Sequence, residues 1–224
     1  MTGPAPAQPR ILPLPDPAGT RVWREAAARV AQALSEGLLI GFPTETVYGV
    51  GCRADDPNAL ARLRAWKGRA AGQPFQWLLA DPEDARHWAE TGPEAWRLMH
   101  RFWPGPLTLV LPQKMSTDGS TVGLRCPGDP FIREVVRLSG SPVAASSANR
   151  AGDPPAADGR ALASLPPAPG QAGLSLVVDC GPLPSGTPST VARLAVAPGR
   201  PPRLDILREG ALPPDELRSV LESA

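Results

Sequence analysis

"LLIGFPTETVYGVG" occupies residues 38–51, and the way it changes character partway along decides the fold. The apolar run from Leu38 to Phe42 has the length of a short buried strand and stops at Pro43. Thr44, Glu45, Thr46 and Tyr48 then place four hydrogen-bonding side chains in five positions, ahead of Gly49 and Gly51. This reads as a strand that leaves the core and turns, with glycines that let the backbone approach a small ligand closely. Strand ends of this kind are where α/β proteins build sites, because a rigid sheet positions the loops.

Residues 21–36 place Val22, Ala26, Val30, Ala33 and Leu34 on one helical face, with Gly37 to end the helix. Asp56-Pro57 starts a helix that runs to about Trp66, with proline at the first helical position. Residues 76–80 read as a strand, and Asp81-Pro82 and Gly92-Pro93 open two more helices. "LTLVLP" (107–112) and "TVGLR" (121–125) are strands, and Asp129-Pro130 starts a helix through Leu138. Four further strands are expected at 142–145, 174–179, 190–194 and 203–207, with a closing helix at 214–221. Strands alternating irregularly with helices predict an α/β (α+β) domain with a twisted, mixed parallel and antiparallel sheet. Residues 1–19 form a proline-rich N-terminal tail, disordered or strapped on, and residues 20–224 the folded domain. Residues 150–172 and 181–189, rich in Pro, Gly and Ala, are expected to be loops.

The chain of 224 residues is 42% hydrophobic and 20% charged, ordinary for a globular protein with room for a sizeable core. No apolar run is long enough for a membrane span, and no signal peptide is visible. Cys52, Cys126 and Cys180 are odd in number and lack zinc-type spacing, so a reduced, cytoplasmic setting without a cysteine metal site is expected. A net charge of +1 gives no global basic field for nucleic acid. Lys67 and Lys114 are the only lysines and Tyr48 the only tyrosine. His87 and His100 have no acidic or cysteine partner nearby in sequence and read as packing residues.

Polar groups gather at strand and helix ends in "PTETVYGVG" (43–51), "WKGR" (66–69), "GLRCP" (123–127), "SSAN" (146–149), "PSTV" (188–191) and "ILREG" (206–210). Together with "FWPGPLTLVLP" (102–112), these resemble the YrdC-like threonylcarbamoyl-adenylate synthase family, in its short form without an additional C-terminal domain. The motifs occur in the family's order and at about its spacing, over roughly residues 20–221. The resemblance implies a YrdC-like fold with a concave, positively charged cleft. It implies a nucleotidyltransferase that condenses L-threonine, bicarbonate and ATP into threonylcarbamoyl-AMP and pyrophosphate, with Mg²⁺ arriving on the nucleotide. Separate transferase proteins would then carry the threonylcarbamoyl group to tRNA.

That chemistry joins a carbamate to the α-phosphate of ATP, so fixed positive charge and donors are required where two anions meet. There is no Walker-type loop. Lys67 and Arg69 lie two apart past a helix end, Arg69 offering a fork and Lys67 a point charge. The resemblance assigns the catalytic role to Lys67 and Arg69 and the nucleotide to Lys67, Arg69, Ser147, Asn149 and Arg208. It assigns the amino acid to Thr44, Tyr48, Arg125, Ala145 and Ser189. The residues themselves leave alternatives open. Thr44 also suits a local turn bond, and Arg125, at the end of a strand where Val122 and Leu124 alternate inward, also suits a structural ion pair. Glu45 reads as a loop-organising acceptor ahead of a general base, and Trp103 with the prolines around Gly105 as a rigid turn. Where the family has proline and a Pro-Leu pair after Lys-x-Arg, this chain has Ala70 and Pro74-Phe75, and Gln76-Trp77 is more polar and bulkier than the usual aliphatic strand. A non-enzymatic alternative is a double-stranded RNA or tRNA binding module using Arg53, Arg62, Arg64, Lys67 and Arg69. It lacks interleaved aromatic residues, and ATP explains the same cluster.

Overall fold

The protein is described by a computed structural model that covers residues 8–14, 18–70, 72–114, 116–150, 153–167, 171, 173–196 and 201–222. Among the described residues ten strands form one sheet. They are β1 (Arg10–Pro13), β2 (Ile40–Phe42), β3 (Gly49–Arg53), β4 (Gln76–Leu78), β5 (Leu107–Pro112), β6 (Thr121–Arg125), β7 (Val143–Ser147), β8 (Leu176–Asp179), β9 (Thr190–Ala195) and β10 (Arg203–Arg208). Their order is β1-β8-β2-β3-β7-β4-β6-β5-β9-β10. Four neighbouring pairs are parallel and five antiparallel, so the sheet is mixed, as expected. The helices are α1 (Arg21–Ser35), α2 (Pro57–Lys67), α3 (Ala85–Trp88), α4 (Pro93–Phe102), α5 (Pro130–Ser139), α6 (Gly159–Ala163) and α7 (Pro214–Glu222).

Local chemistry sets the helix starts. Asp56 accepts from the backbone N–H groups of Asn58 and Ala59, and Asp129 from those of Phe131 and Ile132. Each cap precedes a proline, whose missing N–H costs nothing at that position. At Asp81-Pro82 the same signal produces only a 3-10 turn, Pro82–Asp84, before the short α3.

Helices cover the sheet unevenly, and the gap is the site. One core joins α1 and α5 to β2, β7 and β8. Trp23 meets Phe131 edge-on, with ring centres 5.6 Å apart, an arrangement worth about 0.5–1.5 kcal/mol beyond the area it buries. A second core packs α2 and α6 on the opposite face of that half. In the other half, α4 and α7 cover Leu107, Leu109 and Leu111 of β5, Val122 and Leu124 of β6, and Ala192 and Leu194 of β9. Strand alternation turns the intervening residues, Thr108, Val110, Gly123, Arg125, Val191 and Arg193, to the other side. No helix of the described residues covers them there, and they line a cleft.

The structure sharpens four expectations. Val22 is 54% exposed and Trp23 takes its place, because the buried face of α1 runs through Trp23, Ala26, Ala27, Val30 and Leu34. Gly49 and Gly51 belong to β3, where packing requires them, and Gly49 also helps wall a small pocket. A Cβ on Gly49 would come within 2.9 Å of the Phe42 ring, and one on Gly51 within 2.7 Å of the Ala144 carbonyl, so glycine is what lets these strands pair over an aromatic side chain. Residues 10–13, read as part of a tail, are strapped on as an edge strand parallel to β8. Residues 1–7 and 15–17 of that tail lie outside the described residues. The loop expected at 150–172 contains α6, capped by Asp158 through the N–H of Ala161.

Candidate functional site

The turn after β2 is built around Thr44. Its buried hydroxyl accepts from the N–H groups of Thr46 and Val47, both at 3.2 Å, and donates to the Val47 carbonyl at 2.7 Å. Thr44 therefore closes its own loop. Its side chain also helps wall a side pocket of about 20 Å³, room for about one water, which shares Gln76, Arg125, Ala145 and Ser147 with the main cleft. Tyr48 helps wall the same pocket, yet its hydroxyl is committed elsewhere. It donates to the Gly181 carbonyl at 2.8 Å and accepts from the N–H of Cys180 at 3.0 Å, pinning the 179–181 turn. Burial, with Cys180 and Asp179 nearby, pushes its pKa well above the ordinary value, so the phenol stays protonated.

Arg125 lies 2% exposed at the floor of the cleft. Its Nη2 donates to Glu45 Oε1 at 2.8 Å and Thr46 Oγ1 at 3.0 Å, and its Nε to the Gly105 carbonyl at 3.2 Å. Gly105 has to be glycine, because a Cβ there would meet the Phe102 carbonyl at 2.5 Å. The rigid "FWPGP" turn, anchored by Trp103 Nε1 to the Leu107 carbonyl at 2.7 Å, thus aims the arginine as well as the strand. Glu45 is the organising acceptor, with the Asp129 N–H as a second, longer partner at 3.4 Å. Burial pushes its pKa up, but the Arg125 charge and the donors around it win and hold it below the ordinary value.

Lys67 ends α2 at the cap formed by Gly68, whose φ of +63° favours glycine. Lys67 is buried, and Nζ donates to the Ser147 carbonyl at 2.9 Å, the Asn149 carbonyl at 2.5 Å and Asn149 Oδ1 at 2.8 Å. All three ammonium protons are thereby committed to the "SSAN" turn. No carboxylate is among these partners, and burial and the neighbouring Arg69 charge pull its pKa down to about 8. Ser147 Oγ donates to Asn149 Oδ1 at 2.6 Å, and Asn149 Nδ2 reaches the Asp153 carbonyl. The structure therefore joins Lys67, Ser147 and Asn149 into one bonded unit behind the cleft wall.

The cleft itself has a volume of about 230 Å³. Among the described residues Arg69, Arg125, Arg193 and Arg208 line it, and no acidic residue does. Ala145 of β7 forms part of its floor and Ser147 and Ser189 part of its walls. Arg69 donates to the Pro74 carbonyl at 2.9 Å and lies over the Phe75 ring at 5.1 Å, with Arg64 also at that ring, 5.4 Å away. Phe75, where the family pattern has an aliphatic residue, is therefore a platform that steadies Arg69. Arg208 donates through Nη2 to the Ser189 carbonyl at 2.7 Å and to Ser189 Oγ at 3.0 Å. Partial burial of the guanidinium and the charges of Arg125 and Arg69 lower its pKa, as expected for like charges gathered round one space. The remaining basic residues noted in the sequence are bonded outside the cleft. Arg53 pairs with Asp55 at 2.6 Å, Arg62 donates to the Gly37 carbonyl, and Arg64 to those of Ala70 and Gln73.

Thr46, Gln76, Thr108 and Arg193 were not singled out as site residues by sequence. Thr108 had a signal: it is the one hydroxyl in "LTLVLP", at the alternate position to three leucines. Among the described residues no cluster of His, Cys, Asp and Glu could hold a metal ion, and no helix is long and apolar enough to cross a membrane.

Comparison with known proteins adds the following. Residues 32–210 match the model of the Sua5/YciO/YrdC family, described as "Telomere recombination". A threonylcarbamoyl-AMP synthase of Pyrococcus abyssi is 38% identical over 195 residues, covering 84% of this chain and 55% of the relative. The enzyme of that name from Rattus norvegicus is 30% identical over 228 residues, covering 92% and 78%. The crystal structure of P. abyssi Sua5 complexed with L-threonine superposes with a TM-score of 0.78 at 37% identity, over 94% of this chain and 60% of that one. Escherichia coli YciO, at 22% identity, shares the fold with a TM-score of 0.74. The chain spans little more than half the length of the first of these relatives.

Proposed function

For a chain that belongs to the Sua5/YciO/YrdC family, we propose synthesis of threonylcarbamoyl-AMP from L-threonine, bicarbonate and ATP, with release of pyrophosphate. The observation that carries this reading is the cleft lined, among the described residues, by four arginines and no carboxylate, with buried Arg125 at its floor. Such a space favours a ligand with more than one anionic group, as a carbamate beside a triphosphate has.

The residues divide accordingly. Arg125 takes the amino acid's carboxylate, a charge-assisted contact worth about 1.5–3 kcal/mol, and shares that guanidinium with Glu45. Ala145 leaves room above the floor, and Ser189 and the Thr44 turn bound the amino-acid end. Arg69 and Arg208 face the phosphates with Ser147, while Lys67 holds the Ser147–Asn149 turn and adds positive charge behind it. The amine of threonine displaces water from bicarbonate to give the carbamate. A carbamate oxygen then forms a bond to the α-phosphorus as the bond to pyrophosphate breaks. Fixed guanidinium groups oppose the repulsion between the two anions as they meet. The donors lining the cleft suit phosphate rather than a cation, so Mg²⁺ would enter on the nucleotide, held by phosphate oxygens and water. The product suits a tRNA-modifying transferase as the next acceptor.

Pyrophosphate release with threonine, serine and valine tests the reading. Threonine is expected to be best, and serine weaker by the value of one methyl, about 1–3 kcal/mol. Equal rates with valine would sink the assignment of threonine as the substrate.

A further inference from the structure

A chain of side-chain hydrogen bonds crosses the cleft floor and ends on a residue to which neither the proposed reaction nor the comparisons give a role. Arg208 Nη2 donates to Ser189 Oγ at 3.0 Å. Ser189 Oγ lies 3.0 Å from Thr108 Oγ1, which donates to Gln76 Oε1 at 2.8 Å. Thr108 has one hydroxyl proton and gives it to Gln76, so the Ser189–Thr108 bond must be donated by Ser189. The chain therefore runs one way, from a guanidinium through two hydroxyls to an amide oxygen. Ser189 and Thr108 are 1% and 2% exposed, so water does not compete for these bonds.

The consequence falls on the other end of the amide. With Oε1 bonded to Thr108, Nε2 keeps two donors for which no partner occurs among the described residues. Gln76 is half-buried and lines both the main cleft and the side pocket, as Arg125 does. Its neighbours across the sheet are Gly123 on β6 and Ala145 on β7, so only a methyl group stands on the floor beside the amide. Polarisation by a chain that begins on a cation makes the Nε2 protons better donors to an anion.

We propose that Gln76 is a substrate-reading residue, its fixed amide N–H donating to a carboxylate-type oxygen of the bound amino acid or its carbamate beside Arg125. Thr108 and Ser189 are positioning residues that hold the amide in register. This rests on the proposed synthase reading and deepens it, giving a use to the one polar residue in a strand where the family pattern is aliphatic.

The test is Gln76→Met, of similar length without the donor, with Gln76→Glu as a second variant that places a carboxylate against the substrate's own. L-Threonine binding is measured by titration calorimetry, and KM for threonine and for ATP by pyrophosphate release. Gln76→Met is expected to weaken threonine binding about tenfold and Gln76→Glu further, with KM for ATP unchanged. Thr108→Val, which frees the amide to turn, should raise the threonine KM about threefold without changing kcat. Wild-type affinity for threonine in Gln76→Met or, if that variant does not fold, in Gln76→Glu would overturn the assignment, as would equal changes in both KM values. If the wild-type protein binds threonine but makes no adenylate, the synthase reading fails by itself, and the binding comparison still decides Gln76.

Discussion

Glu45→Gln isolates the ion pair on which the cleft floor is built. In the native protein Glu45 Oε1 accepts from Arg125 Nη2 at 2.8 Å, with 3% of the arginine side chain and 26% of the glutamate side chain exposed. Glutamine keeps the shape and an acceptor oxygen but removes the charge. A hydrogen bond to a charged group contributes about 1.5–3 kcal/mol and a neutral one about 0.5–1.5, so the exchange should cost about 1.5 kcal/mol. For a domain of this size that lowers Tm by about 3–6 °C. The pH dependence gives the sharper check. Glu45's pKa is lowered in the folded state from its ordinary 4.5, so its contribution is fully present above that value and disappears as pH falls through the folded pKa. Calorimetric unfolding of both proteins from neutral pH down to about pH 3 should therefore show the gap in Tm closing on the acid side, because protonated glutamate and glutamine are near equivalents. A gap that stays constant with pH, or no gap at neutral pH, would refute the role given to this pair.

The other predictions concern the nucleotide side and the turn at Tyr48. Arg69→Ala should raise KM for ATP by about 10- to 100-fold while costing under about 1 kcal/mol of stability, since its one hydrogen bond is exposed. Denaturant unfolding beside steady-state kinetics checks both halves. Because the pKa of Lys67 is pulled down to about 8, the ammonium that holds the Ser147–Asn149 turn is lost as pH rises through that value. kcat/KM should accordingly fall on the alkaline side of about 8, and a profile flat to much higher pH would show that Lys67 does not govern the turn. Tyr48→Phe removes the bonds to Gly181 and from Cys180 and should destabilise by about 1–2 kcal/mol. It should leave both KM values unchanged, and a raised threonine KM would instead return the hydroxyl to the substrate.

The parts of this fold that were legible in the sequence are those fixed by near neighbours. Asp56-Pro57 and Asp129-Pro130 announce helix starts because cap and capped N–H lie two or three residues apart. The bounds of β5 and β6 agree with the sequence reading because alternation is visible in "LTLVLP" and "TVGLR", and the same alternation puts Arg125 on the face opposite Val122 and Leu124. β3 was hidden because Gly49 and Gly51 carry no hydrophobic signal, and their reason is the Phe42 ring on the neighbouring strand. The edge strand β1 was hidden among prolines. Partnerships were the least visible feature of the site. Glu45 meets Arg125 across 80 positions of sequence and Lys67 meets Ser147 across 80 more, and only the strand order brings them together. Gln76 stood out as an oddity, but its connection to Arg208 depends on β4, β5 and β9 lying in register.

The central claim is that this cleft joins a threonine carbamate to AMP. Incubation of the protein with ATP, L-threonine and isotopically heavy bicarbonate, followed by mass spectrometry, tests it most directly. Threonylcarbamoyl-AMP carrying the heavy carbon should appear together with pyrophosphate and vanish when any one substrate is omitted. Pyrophosphate released without bicarbonate, or threonyl-AMP in place of the carbamoylated product, would contradict it.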